Sequence, residues 1–191
     1  MRLYVTSVLS AFFLLSCTIS DTKIYSLSLP EVKKAPHAGA SASVNVILHA
    51  PRYLEQPYIA YRTSPYELEI SNSSRWDSSP ADMVKGAITD SLSSSGFFAA
   101  VGISAFTPPG FYRCEINLRR FERFDRSNDS FGELDFEIIF LSPEGVILYS
   151  GSLSKEAKLA DKSFLSLAKF LSEALSQGVE EARTAIIKSL P

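Results

Sequence analysis

Proton transfer near neutral pH calls for a histidine or a displaced carboxyl, and this 191-residue chain has two histidines, His37 and His49. His37 lies in an Ala/Gly/Ser-rich stretch and His49 ends an apolar run, and neither has a partner at metal-ligand or triad spacing. The carboxylates Asp125, Asp129, Glu133, Asp135 and Glu137 crowd one segment around a turn. Their alternation fits the solvated face of a strand pair, with a weak calcium site as the sharper reading. Arg113, Arg119, Arg120, Arg123 and Arg126 are interleaved with Glu115 and Glu122. That mixture reads as a charged outer sheet face and not as a stripe for nucleic acid. Walker, dinucleotide-binding and nucleophile-elbow motifs are lacking. The sequence predicts no catalytic residue, no cofactor and no metal.

The remaining chemistry is that of thiols. The chain has two cysteines, Cys17 and Cys114, in no CxxC or Cys/His cluster. The opening MRLYVTSVLSAFFLLSC has one positive charge at Arg2, an apolar run from Leu3 to Leu15, then Ser16 and Cys17. The run is shorter than the ~20 apolar residues a spanning helix needs, and it has the length and flanks of a signal-peptide core. Leu14-Leu15-Ser16-Cys17 resembles the bacterial lipobox. Residues 1–16 are then a lipoprotein signal peptide, and Cys17 becomes the acylated N-terminus. Several acyl chains are needed because each buried methylene contributes only about 0.8 kcal/mol. The alternative is an ordinary signal peptide with Cys17 incidental, paired with Cys114.

A third group of residues suits recognition. Tyr53, Leu54, Pro57, Tyr58, Tyr61 and Arg62 lie close together, followed by Arg75 and Trp76. Tyr, Trp and Arg carry much of the energy of protein interfaces, because they offer rigid area with a polar end. Two compatible readings stand: these side chains contact a partner, or they seal the sheet edge and first helix of their own domain. Pro51, Pro57 and Pro65 argue against a simple central strand here.

These groups need elements to hold them. Residues 17–43 read mostly as lipid anchor and flexible tether, with a short alternating stretch Ile24–Leu29 ended by Pro30. A single domain then spans 44–191. Val44–Leu48 reads as a core strand, and Tyr66–Ile70 as a half-buried antiparallel one. Ser79, Pro80 and Asp82 mark a helix start, with the helix running to about Ser95, its apolar face at Met83, Ala87, Ile88 and Leu92, and Gly96 as its stop. A short strand is expected between Phe97 and Phe106. Tyr112–Phe124, Phe131–Leu141 and Val146–Lys155 read as a meander, with Cys114 a buried small hydrophobe. Asp161 caps a final helix from about Lys162 to Ser189, whose stripe is Phe164, Leu167, Leu171, Leu175, Val179, Ala182 and Ile186. Gly178 either bends that helix or allows close packing.

The expected fold is α+β, a two-layer sandwich with a mixed, mostly antiparallel sheet and two helices packed on one face. Composition supports it: 46% of residues are hydrophobic, 13 are Phe and 8 are Tyr. A chain of this size buries roughly 70% of its unfolded surface and needs no disulfide to fold. The formal charge of −2 is not that of a nucleic-acid binder.

Val44 to Trp76 resembles the ABC-type transport auxiliary lipoprotein family, whose members accompany ABC transporters that use MCE-domain proteins. The resemblance rests on Pro51, Tyr53, Leu54, Pro57, Ile59 and Arg62 after a strand, then Arg75-Trp76 before a helix. Tyr25-Ser26-Leu27 and Phe121-Glu122 follow the same order. The resemblance implies a non-enzymatic periplasmic lipoprotein, held through Cys17 at the outer membrane, that docks an MCE-domain transporter protein. It implies transport of lipids or related hydrophobic compounds, with a homo-oligomeric ring as one arrangement. Thr18, following the anchor cysteine where an Asp would retain the protein, agrees with outer-membrane sorting. Two other readings stay open: a lipoprotein that activates or assembles another membrane complex, and one that binds lipid directly in a pocket between sheet and helices.

Overall fold

A computed structural model describes residues 21–31 and 42–191. Cys17, His37 and the remainder of the export segment and linker lie outside the described residues. In chain order the strands are β1 (Lys23–Tyr25), β2 (Ser43–His49), β3 (Tyr58–Ser64), β4 (Glu67–Trp76), β5 (Ala100–Gly102), β6 (Tyr112–Arg126), β7 (Asp129–Leu141) and β8 (Ile147–Lys158). The helices are α1 (Pro80–Ser94) and α2 (Phe164–Ser189), and a 3-10 turn occupies Arg52–Glu55. The chain forms one mixed sheet with both helices against it, the α+β class expected.

Strand β6 organises the sheet. Alternation puts Cys114, Ile116 and Leu118 toward the helices. One edge of β6 pairs antiparallel with β7 along its length, and β7 pairs with β8, giving the expected meander. The other edge is shared: β2 runs parallel to Tyr112–Asn117, and β3 runs parallel to Arg123–Phe124. Between them the chain leaves the sheet through the 3-10 turn and returns. A bulge in β6 between Leu118 and Arg120 lies at this hand-over.

The structure corrects three expectations here. β3 is an interior strand, bonded to β4 on one side and β6 on the other. The prolines do not prevent this, because Pro57 precedes the strand and Pro65 follows it, so no ladder donor is lost. β4 continues past Ile70 to Trp76 through Ser71, Asn72, Ser73 and Ser74, residues poor in strand propensity, and its last three residues, Ser74–Trp76, are paired in parallel by Lys23–Tyr25 of β1. The domain therefore begins before Val44. The Asp77 N–H donates to the Tyr25 carbonyl at 2.9 Å and the Ser28 N–H to the Ser172 hydroxyl at 3.0 Å, so the segment from Lys23 to Ser28 is fastened to sheet and helix.

Helix α1 begins as expected, with Ser79 accepting from the Asp82 N–H at 3.1 Å, and the chain leaves it through Gly96 at φ 75°. Its buried face is centred on Val84, Ile88, Ser91 and Leu92, with Met83 and Ala87 at the margin. Helix α2 buries Leu167, Leu171, Leu175, Val179, Ala182 and Ile186. Gly178 serves close packing, because a Cβ there would meet Leu153 Cδ2 at 2.3 Å. The cap of α2 is Ser163, two residues beyond the expected Asp161: Ser163 accepts from the Ser166 N–H, while Asp161 accepts from the Ser163 N–H at 2.8 Å and the Ser166 hydroxyl at 2.6 Å.

Two measurements follow from these contacts. Hydrogen bonds from the Ser163 hydroxyl, the Ser166 hydroxyl and the Ser163 N–H hold the Asp161 carboxyl at about 2, below its ordinary 3.8. Because the folded value is depressed, the stabilisation is complete above the ordinary value and is lost as pH falls toward 2. Asp161→Asn is expected to lower urea stability at pH 7 and to leave a shallower loss of stability between pH 4 and 2. Ser163→Ala removes both the cap and a donor to that carboxylate, so it should cost about 1 kcal/mol at pH 7 and less as pH falls toward 2. Burial pushes the Cys114 thiol up to about 12. It should react with a thiol reagent at neutral pH only after the domain is unfolded.

Candidate partner-binding surface

The eight side chains expected to meet a partner divide between the interior and the rim. Leu54 and Trp76 are fully buried. The 3-10 turn points Leu54 into the core, and the Trp76 ring packs edge-on against Phe121 with centroids 5.6 Å apart. Neither can touch a partner while the domain is folded, so both act through its shape. Tyr61 also faces inward: its hydroxyl donates to Glu69 at 2.7 Å, and its ring lies 6.2 Å from that of Phe164. The Arg123 guanidinium sits over both rings, 5.0 Å from Tyr61 and 4.9 Å from Phe164.

Tyr53 and Arg62 meet at a residue outside the segment. Glu122, on β6 just beyond the bulge, has no solvent exposure. Its carboxylate accepts from Arg62 Nε at 2.6 Å and from the Tyr53 hydroxyl at 2.9 Å. One bond comes from the 3-10 turn and one from β3, so the carboxylate joins both parts of the excursion to the central strand. Burial, then the Glu122 charge, push the Tyr53 phenol up to about 12 and keep it a donor across physiological pH. This corrects the reading of Glu122 as part of a solvated face. Arg123 is likewise buried, with Nη2 donating to Asp125 at 2.9 Å.

The rest of that outer face is charged as expected. Arg119 pairs with Asp135 at 2.9 Å, Arg126 with Glu133 at 3.1 Å and Glu156 at 2.7 Å, and Lys158 with Asp129 at 2.8 Å. Arg120 also bonds Glu133. Asp125 accepts from the Ser130 hydroxyl. Asp129, Glu133 and Asp135 are thus engaged across strands and Asp125 by Arg123 and Ser130, and among the described residues no three His, Cys, Asp or Glu side chains converge to hold a cation. The exposed pairs among these, Arg126–Glu156 and Lys158–Asp129, contribute little to stability individually, whereas Glu133 is buried. His49 is exposed at the end of β2.

Tyr58, Pro57 and Arg75 remain at the surface. Tyr58 is 41% exposed and Arg75 is exposed, and the two are paired across β3 and β4. With Arg52, Tyr53 and Gln56, Tyr58 lines an open depression of about 420 Å³. A second cavity of about 720 Å³ opens between α1, α2 and Leu29–Glu31. It lies between the helices and the N-terminal segment, not between helices and sheet. Its lining combines Leu29, Ala87 and Val179 with the carboxylates of Glu31, Asp90 and Glu180.

The domain is thus a single mixed sheet under two helices, with part of the Tyr53–Trp76 motif buried and part of it at the rim. The family profile of ABC-type transport auxiliary lipoprotein components matches residues 25–182, and the chain belongs to that family. The fold is shared with a crystal structure from Xanthomonas campestris assigned to DUF330, at TM-score 0.71 and 20% identity over 87% of this chain and 96% of that one. A crystal structure of an uncharacterized protein matches at TM-score 0.64 and 16% identity, over 87% of this chain and 99% of that one. None of the curated proteins matches significantly. Among the described residues no helix is long and apolar enough to cross a membrane.

The Glu122 junction is testable by denaturation. Arg62→Ala leaves a buried carboxylate without its cation and should cost about 3 kcal/mol. Tyr53→Phe should cost about 1.5 kcal/mol, the worth of a hydrogen bond to a charged acceptor. The double variant Arg62→Met with Glu122→Leu should recover to within about 1 kcal/mol of the parent. Measured beside the single variants Arg62→Met and Glu122→Leu, a double-variant loss equal to the sum of those two would show that the side chains are not coupled.

Proposed function

We propose that this protein is acylated at Cys17, held on the periplasmic face of the outer membrane, and serves as a non-enzymatic auxiliary component of an MCE-type ABC transport system for lipids or hydrophobic compounds. The observation that carries this reading is the family match over 25–182, which spans the fold and the whole Tyr53–Trp76 motif. The geometry supports it. The deepest charged groups, Glu122, Arg123 and Glu133, are committed to neighbours within the domain, and the exposed aromatic and cationic groups of the motif lie together at Tyr58 and Arg75. Such a surface recognises and positions. In this reading the partner is the MCE-domain protein, and several copies of the chain form a ring around its end.

Affinity purification of the full-length protein from envelopes, with mass spectrometry of partners and of the mature N-terminal peptide, tests the reading. Recovery of an MCE-domain protein together with an acylated Cys17 is the expected result. An unmodified Cys17 with no transporter component would overturn it. Tyr58→Ala and Arg75→Ala should each weaken capture of the partner by about 2 kcal/mol, roughly thirtyfold, without lowering the denaturation midpoint. A second reading, direct carriage of lipid, has the cavity beside Leu29 and Val179 as its place. Lipid that co-purifies stoichiometrically, and is lost on Val179→Trp, would favour it.

A further inference from the structure

The direction of β1 and the short chain before it determine which end of the domain lies against a membrane. β1 is parallel to β4, β4 antiparallel to β3, and β3 parallel to β6. β1 therefore runs opposite to β6, and the chain reaches Lys23 from the Arg126 end of the sheet. Ile24 pairs with Arg75 and Arg75 with Tyr58, just before the Tyr61–Arg123 pair, so β1 is level with the middle of β6. From that level, at about 3.3 Å per residue, the Arg126 end is about 20 Å away and Tyr112 about 26 Å. Cys17 precedes Lys23 by six residues, which span at most ~22 Å. An anchor on Cys17 can reach past the Arg126 end but falls short of the other, where the Ile103–Phe111 loop is held to Asn45 through Ser104 and Thr107.

The side chains at the near end suit a lipid surface. Tyr66, at the tip of the β3–β4 hairpin, is 97% exposed, and Leu165 in the first turn of α2 is 55% exposed. Ile24 and Ile70 are exposed on the strands leading there. Tyrosine at such a place puts its ring at headgroup depth with its hydroxyl in water. The charges beside it include the Lys158–Asp129 and Arg126–Glu156 pairs, which approach a surface already neutralised. The far end exposes a different set, Ile103, Phe106, Val146 and Ile147.

We infer that the hairpin tip at Tyr66, with the start of α2, rests on the phospholipid leaflet that holds the Cys17 acyl chains, and that the Phe106 end points away from it. This orientation rests on the acylation proposed above. The full-length acylated protein, carrying Tyr66→Cys or Phe106→Cys labelled with an environment-sensitive fluorophore, is reconstituted in phosphatidylethanolamine/phosphatidylglycerol vesicles containing a headgroup-region nitroxide lipid. Both positions are exposed, and the buried Cys114 and acylated Cys17 stay unlabelled. The expected result is loss of most of the fluorescence at position 66 and none above the lipid-free background at position 106. Protein that floats with the vesicles yet is quenched at 106, or at neither position, overturns the orientation alone. Protein that fails to float overturns the orientation and the acylation together.

Discussion

The fold depends on one buried carboxylate. β6 must satisfy two different partners along a single edge, and the chain between them has to leave the sheet and come back in register. Glu122 stands where that return is made. Its two oxygens accept one hydrogen bond from Arg62 on the returning strand and one from Tyr53 on the excursion, at 2.6 and 2.9 Å. A fully buried carboxylate is tolerable only when its charge and lone pairs are matched. The demand works in both directions: the excursion holds Glu122 neutralised, and Glu122 holds the excursion to one conformation. With the excursion set, Leu54 enters the core, Pro57 starts β3, and Trp76 at the end of β4 meets Phe121 beside the carboxylate.

The two faces of the sheet consequently do different work. Toward the helices, the alternating residues of β6 and β7 and the stripe of α2 form a close-packed core in which even Gly178 is needed for its lack of a side chain. On the other face, arginines and carboxylates of β6, β7 and β8 are matched across strands. Such a ladder adds little net stability, but mismatched registers would set like charges opposite one another. It serves the long meander as a register device more than as a source of free energy.

Much of this was legible in the residues, for physical reasons that differ by element. The meander and α2 show clean periods of 2 and 3.6 because each has one buried face, and α1 declares its start through Ser79, Pro80 and Asp82. The lower half of β4 was not legible, because Ser71 to Ser74 are poor strand formers lying between the Ala60–Ile70 pair and the stretch Ser74–Trp76 that β1 holds. Nor was the interior placement of β3, where three prolines flank the pairing without interrupting it. The motif's residues were recognisable as a group, yet their division into Leu54 and Trp76 inside, Tyr53, Tyr61 and Arg62 half-buried, and Tyr58 and Arg75 outside needed the backbone. Glu122 was hidden by its company: among so many charges on β6, nothing in the local pattern marks Glu122 and Arg123 as the buried ones. The bulge at Arg119 shifts the alternation, and only that shift tells which charges turn inward.

β1 is three residues long and parallel to its neighbour, and this has a mechanical consequence. A pull applied at Asp21 along the strand axis loads the β1–β4 hydrogen bonds in shear, all at once, and not one after another as in peeling a hairpin. The rows that share the load include Trp76, the residue packed on Phe121. Tension on the N-terminal segment would thus be delivered to the centre of the sheet next to Glu122, so the resistance of the domain to being tugged is set by its most deeply fastened point.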